Sequence, residues 1–136
     1  LETGIRGKQS VAVTPENTAK TMGSGTLNVF ATPALVALAE KTCWMSVADA
    51  LDEGCGSVGT KLELEHTAPT PVGMTVTCES ELTAVEGRKQ GAPNDEDFAR
   101  NKAIFRSNPD GLQGKATQYA GKKAVRAVCN AYENGF

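Results

Sequence analysis

The sequence predicts an α+β fold in which one long helix is wrapped by an antiparallel sheet. Three stretches predict it: helix formers over residues 32–51, strict alternation over 58–66, and a second alternation over 74–85. A helix with an apolar stripe and a sheet with an apolar face each need a partner surface, and laying one on the other buries both.

At 136 residues the chain is the size of one domain, and 40% apolar with 22% charged residues is ordinary for a globular core. One domain over 1–136 is expected. A net charge of −2 argues against a nucleic-acid or anionic-membrane surface. No apolar run approaches the length of a membrane-spanning helix, and no basic-then-apolar leader opens the residues given. Cys43, Cys55, Cys78 and Cys129 form no C-x-x-C pair, and one histidine completes no zinc framework. No metal or cofactor is expected, and reduced thiols point to a cytoplasmic protein.

In chain order, residues 8–13 are expected as a short first strand. Thr14-Pro15-Glu16-Asn17 reads as a helix start or turn, and Gly23-Ser24-Gly25 as a flexible loop. The long helix opens at Thr32-Pro33, with Thr32 as N-cap and Pro33 at the first helical position. "PALVALAEKTCWMSVADAL" carries it to Leu51, and Gly54 and Gly56 stop it. Val36, Glu40, Trp44, Val47 and Leu51 fall along one line at helical spacing. Four of these five are apolar, so the line is expected to face the core, with Glu40 as the ionisable exception.

Two strands follow. Over 58–66, Val58, Leu62 and Leu64 share a face with Thr60 and His66, while Gly59, Lys61, Glu63 and Glu65 take the other. The chain's only histidine thus points the way the leucines point. Over 74–85, Met74, Val76, Cys78, Leu82 and Ala84 alternate with Thr75, Thr77, Glu79, Glu81 and Thr83. The two strands are expected to form a hairpin-like pair, with Glu86-Gly87-Arg88-Lys89 as the next turn. From Gln90 onward no clean period of two is visible. Residues 94–97 read as an acidic helix start carrying Phe98, Ile104 and Phe105. Asn108-Pro109-Asp110-Gly111 reads as a turn, and 122–133 as a helix burying Val125, Val128, Cys129 and Tyr132.

Thr32, Glu40 and His66 form the candidate constellation. A buried carboxylate costs several kcal/mol, to order of magnitude, unless paired or hydrogen-bonded, and a histidine is the nearest partner on offer. Pairing raises an imidazole pKa, and burial lowers it. A hydroxyl at a helix N-terminus lies beside free backbone N–H groups, which favour negative charge. Hydroxyl, carboxylate, imidazole and amide donors together suit attack on a carbonyl carbon. Each residue also has a plainer reading: Thr32 as a cap, Glu40 at the stripe edge reaching water, His66 as a satisfied core or rim residue. Gly59 reads as a strand glycine that permits close packing, or as a backbone donor to substrate.

"VFATPALVALAE", "GSVGTKLELEHTAPTPVGMTVT" and "AVEGRK" together resemble the hot-dog thioesterases of the fluoroacetyl-coenzyme A thioesterase type, over roughly residues 4–89. In that family a Thr follows Phe-Ala at the start of the central helix, a Glu comes eight residues later, and a His lies in a "THTA-x-TP-x-G" strand segment. These fall here on Thr32, Glu40 and His66, and the glycine before the strand falls on Gly59. The resemblance implies a hot-dog fold, generally a homodimer, and cleavage of acyl-coenzyme A thioesters with no metal, coenzyme A entering as part of the substrate. It implies Thr32, Glu40 and His66 as catalytic residues, and Gly59 and Phe30 as substrate-binding ones. It does not imply fluoroacetyl-CoA itself as the substrate. The family continues after "EGRK" with two more long strands, which residues 90–136 do not resemble. A divergent tail, a shifted reading frame and unrecognised strands are three readings of that difference.

The expected function is hydrolysis of small acyl-CoA thioesters. Thr32 would be nucleophile or orienter of water, His66 base or polarising donor, and Glu40 charge partner of His66 or direct nucleophile. The competing expectation is a non-catalytic hot-dog module that binds acyl thioesters or a protein partner. A homodimer is expected, because the long strand over 74–85 would otherwise keep a bare edge.

Overall fold

A computed structural model of the chain describes residues 2–51, 55–86, 98–108 and 112–124. β1 (Arg6–Ala12) leads through a 3₁₀ turn (Pro15–Asn17) and a one-turn helix α1 (Ala19–Met22) into the long helix α2 (Thr32–Ala48). Four strands follow: β2 (Cys55–His66), β3 (Thr75–Glu86), β4 (Phe98–Asn108) and β5 (Leu112–Ala124). The strands form one antiparallel sheet in the order β1-β3-β4-β5-β2. The sheet wraps α2, which packs mainly on β1, β3 and β2.

The local chemistry accounts for the turns. Thr14 N–H donates to Asn17 Oδ1 at 3.0 Å, and Thr18 Oγ1 accepts from Thr21 N–H at 3.3 Å, so each short helix has a side-chain cap. Gly23 ends α1 with φ +75°, a left-handed C-cap rather than part of a loose loop.

The core is built from Leu35, Leu38 and Ala39 of α2 against Val76 and Cys78 of β3, Ala103 and Phe105 of β4 and Ala116 of β5. Val13 and Phe30 close one end. Cys43 and Cys78 are buried free thiols, and burial pushes them up to about 12 and about 11 respectively, which leaves both unreactive.

Several expectations are corrected. α2 ends at Ala48, with Asp49 as its C-cap, not at Leu51. Its buried positions are Leu35, Leu38, Ala39, Thr42, Cys43 and Val47, so the core-facing line is displaced from the one expected. Glu40 and Trp44 are exposed and Val36 is only half-buried. The cause is visible in the composition: apolar residues ring this helix, so spacing alone does not single out one face.

β2 and β3 are not a hairpin pair. β2 pairs with β5 at one edge of the sheet, while β3 lies between β1 and β4. β3 therefore has no bare edge, and among the described residues the edges of the sheet are β2 and β1. The supposed helix carrying Phe98, Ile104 and Phe105 is β4, and residues 122–124 end β5. Residues 125–133 of the expected second helix, and the Pro109-Asp110-Gly111 part of the expected turn, lie outside the described residues. Of the three readings of the tail, the structure has unrecognised strands. Their inward residues include Asn101, Ser107, Gln113 and Gln118, polar side chains buried where alternation leads one to look for leucines.

Candidate active site

The site begins where α2 begins. Ala31, with φ −72° and ψ 142°, is the N-cap, so Thr32 is the first helical residue and Pro33 the second. Thr32 was expected to cap; instead its hydroxyl is released from that duty. Thr32 Oγ1 lies 2.8 Å from His66 Nδ1. Both ends of this contact are held by main-chain bonds: Ala31 N–H donates to the Asn17 carbonyl at 2.9 Å, and Thr67 N–H to the Gln113 carbonyl at 2.9 Å.

His66 is the last residue of β2 and is half-buried, on the side shared by Leu62 and Leu64 as alternation predicts. Burial lowers its pKa below the ordinary 6.5, and a backbone hydrogen bond at Ala68 offsets part of that. The ring is therefore neutral at pH 7. A neutral imidazole keeps one nitrogen as acceptor; in the tautomer protonated at Nε2 that nitrogen is Nδ1, and the Thr32 hydroxyl donates to it.

The end of β2 is held close to β5 by a glycine. His66 pairs with Gly114, where a β-carbon would collide with the Glu65 carbonyl and sit 3.4 Å from His66 Cα. Any side chain at 114 would push β2, and His66 with it, away from the sheet.

Glu40 lies elsewhere. It is exposed, two helical turns beyond Thr32, or about 12 Å of helix rise. Its Oε1 stands 3.7 Å from the point where a Gly59 β-carbon would be. Gly59 is seven residues from His66 along an extended strand, about 23 Å. The expected Glu40–His66 pair is thus not formed within one chain. With Thr32 on the imidazole at 2.8 Å, a residue about 12 Å further along the helix points to a different position of the strand.

Gly59 also faces the opposite way from the expectation. The β2–β5 register shifts between Gly59 and Lys61, so Thr60 is an extra residue in the ladder. The bulge turns Gly59 toward α2, onto the side of Leu62, Leu64 and His66. Phe30, expected at the substrate, is 2% exposed and belongs to the core beneath the start of α2. No cluster of three or more His, Cys, Asp or Glu that could hold a metal is found among the described residues.

Chemically, the surface along α2 and β2 offers a hydroxyl on a neutral imidazole at one end and a carboxylate beside an open glycine at the other. Sequence reasoning missed the buried amides behind it, Asn101 and Gln118, joined by Asn101 Nδ2 donating to Gln118 Oε1 at 3.1 Å. Only the strand pairing of β4 with β5 brings them together.

Residues 13–91 match the protein family described as fluoroacetyl-CoA-specific thioesterase. A fluoroacetyl-CoA thioesterase from Streptantibioticus cattleyicolor is 49% identical over 61 residues, 45% of this chain and 44% of the relative, so the match spans less than half of that protein. Among solved structures, the fluoroacetyl-CoA thioesterase FlK superposes with a TM-score of 0.83 at 27% identity, over 100% of this chain and 98% of its own. A hot-dog-like protein from Thermanaerovibrio acidaminovorans superposes with a TM-score of 0.82 at 18% identity, over 100% and 94%. The architecture is a hot-dog fold, with strands β4 and β5 completing the sheet.

Proposed function

Because the chain belongs to the fluoroacetyl-CoA-specific thioesterase family, we propose that it hydrolyses small acyl-coenzyme A thioesters, with Thr32, His66 and Glu40 as its working groups. The observation that carries this reading is the 2.8 Å contact between Thr32 Oγ1 and His66 Nδ1. A threonine hydroxyl is a poor nucleophile until a base draws on its proton, and a neutral imidazole at hydrogen-bond distance is such a base. Thr32 sits in the first turn of α2, where free backbone N–H groups favour the negative charge that develops as the carbonyl is attacked. As Thr32 Oγ1 bonds to the thioester carbonyl carbon its proton passes to His66; the C–S bond then breaks, the coenzyme A thiolate takes that proton, and the acyl group remains as an ester on Thr32. Water attacks the ester carbonyl with His66 as base, the O–C bond to Thr32 breaks, and the proton returns from His66 to the Thr32 oxygen as the free acid leaves.

Glu40 enters through a second copy of the chain. Among the described residues β2, 12 residues long, pairs only with β5, and long bare edges are normally covered. Trp44, one turn beyond Glu40, is 50% exposed. A homodimer formed along this edge by a two-fold axis would carry Glu40 of the partner subunit toward the Thr32–His66 pair, giving the imidazolium its countercharge. Coenzyme A is part of the substrate in this reading, with no metal or other cofactor. A cytoplasmic setting belongs to the same proposal, supported by the free thiols of Cys43 and Cys78. No helix among the described residues is long and apolar enough to cross a membrane.

The test is release of free coenzyme A thiol from acetyl-CoA, fluoroacetyl-CoA and longer acyl-CoAs by the purified protein. Turnover that disappears in Thr32→Ala and His66→Ala supports the reading. Tight binding of acyl-CoA without turnover would replace it with a binding module.

A further inference from the structure

We propose that Gln118 is a positioning residue, whose Nε2 group holds the Glu40 carboxylate at the open space above Gly59. Its effect on turnover rests on the thioesterase reading; its geometry does not.

Gln118 lies on the inward face of β5 and is 3% exposed, opposite Leu62 of β2. Its Nε2 is 3.5 Å, and Glu40 Oε1 is 3.7 Å, from the single point where a Gly59 side chain would begin. The two groups therefore flank one small space, floored by a residue without a side chain. Gly59 does not have the positive φ of Gly4, Gly23 and Gly73. Its backbone conformation does not demand glycine, so what glycine contributes there is room.

The direction of the Gln118 amide follows from its neighbours. Asn101, 1% exposed, donates through Nδ2 to Gln118 Oε1 at 3.1 Å, which leaves Nε2 on the side of the space above Gly59. Reversing both amides would aim Gln118 Oε1, an acceptor, at a carboxylate, also an acceptor, which is repulsive. The observed orientation has a cost: Asn101 Oδ1 is left buried without a partner. A second inward glutamine on the same strand serves as contrast. Gln113 uses both ends of its amide inside the protein, donating from Nε2 to Ser107 Oγ at 2.8 Å and accepting at Oε1 from Thr70 at 2.9 Å. Among the described residues Gln118 Nε2 has no such internal partner and makes no direct hydrogen bond to Glu40 in this conformation; the exposed Glu40 side chain is the acceptor across the space above Gly59.

A carboxylate on an exposed helix position samples many rotamers. A donor on a buried side chain, fixed from behind by Asn101, would confine it to the β2 side. Gln118 acts through Glu40 and needs no contact with substrate.

Two measurements test this. The first is the side-chain N–H resonances of Gln118 in ¹⁵N–¹H spectra, assigned by their loss in Gln118→Glu. Glu40→Ala, an exposed substitution, should move them, and identical resonances with and without the Glu40 carboxylate would overturn the proposal. The second compares Gln118→Glu with Gln118→Leu. The Glu variant keeps an acceptor for Asn101 and loses the donor; the Leu variant loses both. Both should lower kcat by roughly 10-fold or more, with KM changed less, as loss of a charge-assisted hydrogen bond implies. Wild-type kcat in Gln118→Glu with a deficit only in Gln118→Leu would mean that Gln118 serves Asn101 alone, and the proposal would fall. If the wild-type protein hydrolyses no acyl-CoA, the thioesterase reading fails by itself, and the resonance comparison alone decides the role of Gln118.

Discussion

Thr32 Oγ1 and His66 Nδ1 meet at 2.8 Å although 34 residues separate them in the chain. The contact joins the first turn of α2 to the last residue of β2, two places fixed independently by backbone hydrogen bonds. Removing either partner leaves the other without its function. His66→Ala and Thr32→Ala are each expected to lower acyl-CoA turnover roughly 10²-fold or more. The double variant should lose little beyond the single ones, because groups that act as a unit are not additive. Thiol release at saturating substrate, alongside a melting curve for each variant, is the measurement. A folded His66→Ala protein with wild-type turnover would remove His66 from the mechanism.

The pH dependence follows from the burial of His66. Its pKa lies below 6.5 in the folded chain, with burial as the larger cause and the Ala68 backbone bond opposing it. The ring therefore remains a base at pH values where an exposed histidine is already half protonated, and the acid limb of kcat/KM should have its midpoint below 6.5. The same shift links to stability. The folded state binds the proton less readily than the unfolded state does. The contribution is therefore present above pH 6.5 and is lost as pH falls through that value toward the lower folded pKa. His66→Gln should flatten this part of the stability profile, and an unchanged profile would contradict the assignment.

A composite site makes a prediction about mixtures. Thr32→Ala and Glu40→Gln should each be nearly inactive as homodimers. In a mixed dimer one of the two sites unites an intact Thr32–His66 pair with an intact Glu40. Random exchange of subunits makes about half of the dimers mixed, so about a quarter of wild-type activity should return. Sedimentation at micromolar concentration checks the dimer itself. No recovery in a mixture shown to exchange would confine each site to one chain.

Gly114→Ala probes the scaffold rather than the chemistry. The added carbon would meet the Glu65 carbonyl and crowd His66 Cα. Overpacking of this kind costs roughly 1–3 kcal/mol. Because the displaced segment carries His66, turnover should fall by more than the loss of folded protein accounts for. A variant with a lower melting temperature and full activity per folded molecule would separate the glycine from the site.

What could be read from residues alone was whatever depends on short-range periodicity. The helix start at Thr32-Pro33 follows from local start chemistry, and the strand ending at His66 and the inward direction of that histidine follow from a spacing of two residues. The resemblance over roughly residues 4–89 rested on the same stretches, and it is there that the family match over 13–91 falls. Beyond Gln90 the inward positions of β4 and β5 hold Asn101, Ser107, Gln113 and Gln118, so no apolar period marks them as strands. The tertiary structure decided the rest. It set β2 beside β5 instead of β3, because pairing between distant strands leaves no local trace in sequence. It turned Gly59 inward through a one-residue bulge, since inserting a single residue reverses every facing before it. It freed the Thr32 hydroxyl by giving the cap to Ala31, and by seating Thr32 on His66 it left Glu40, about 12 Å further along the helix, beside Gly59 instead.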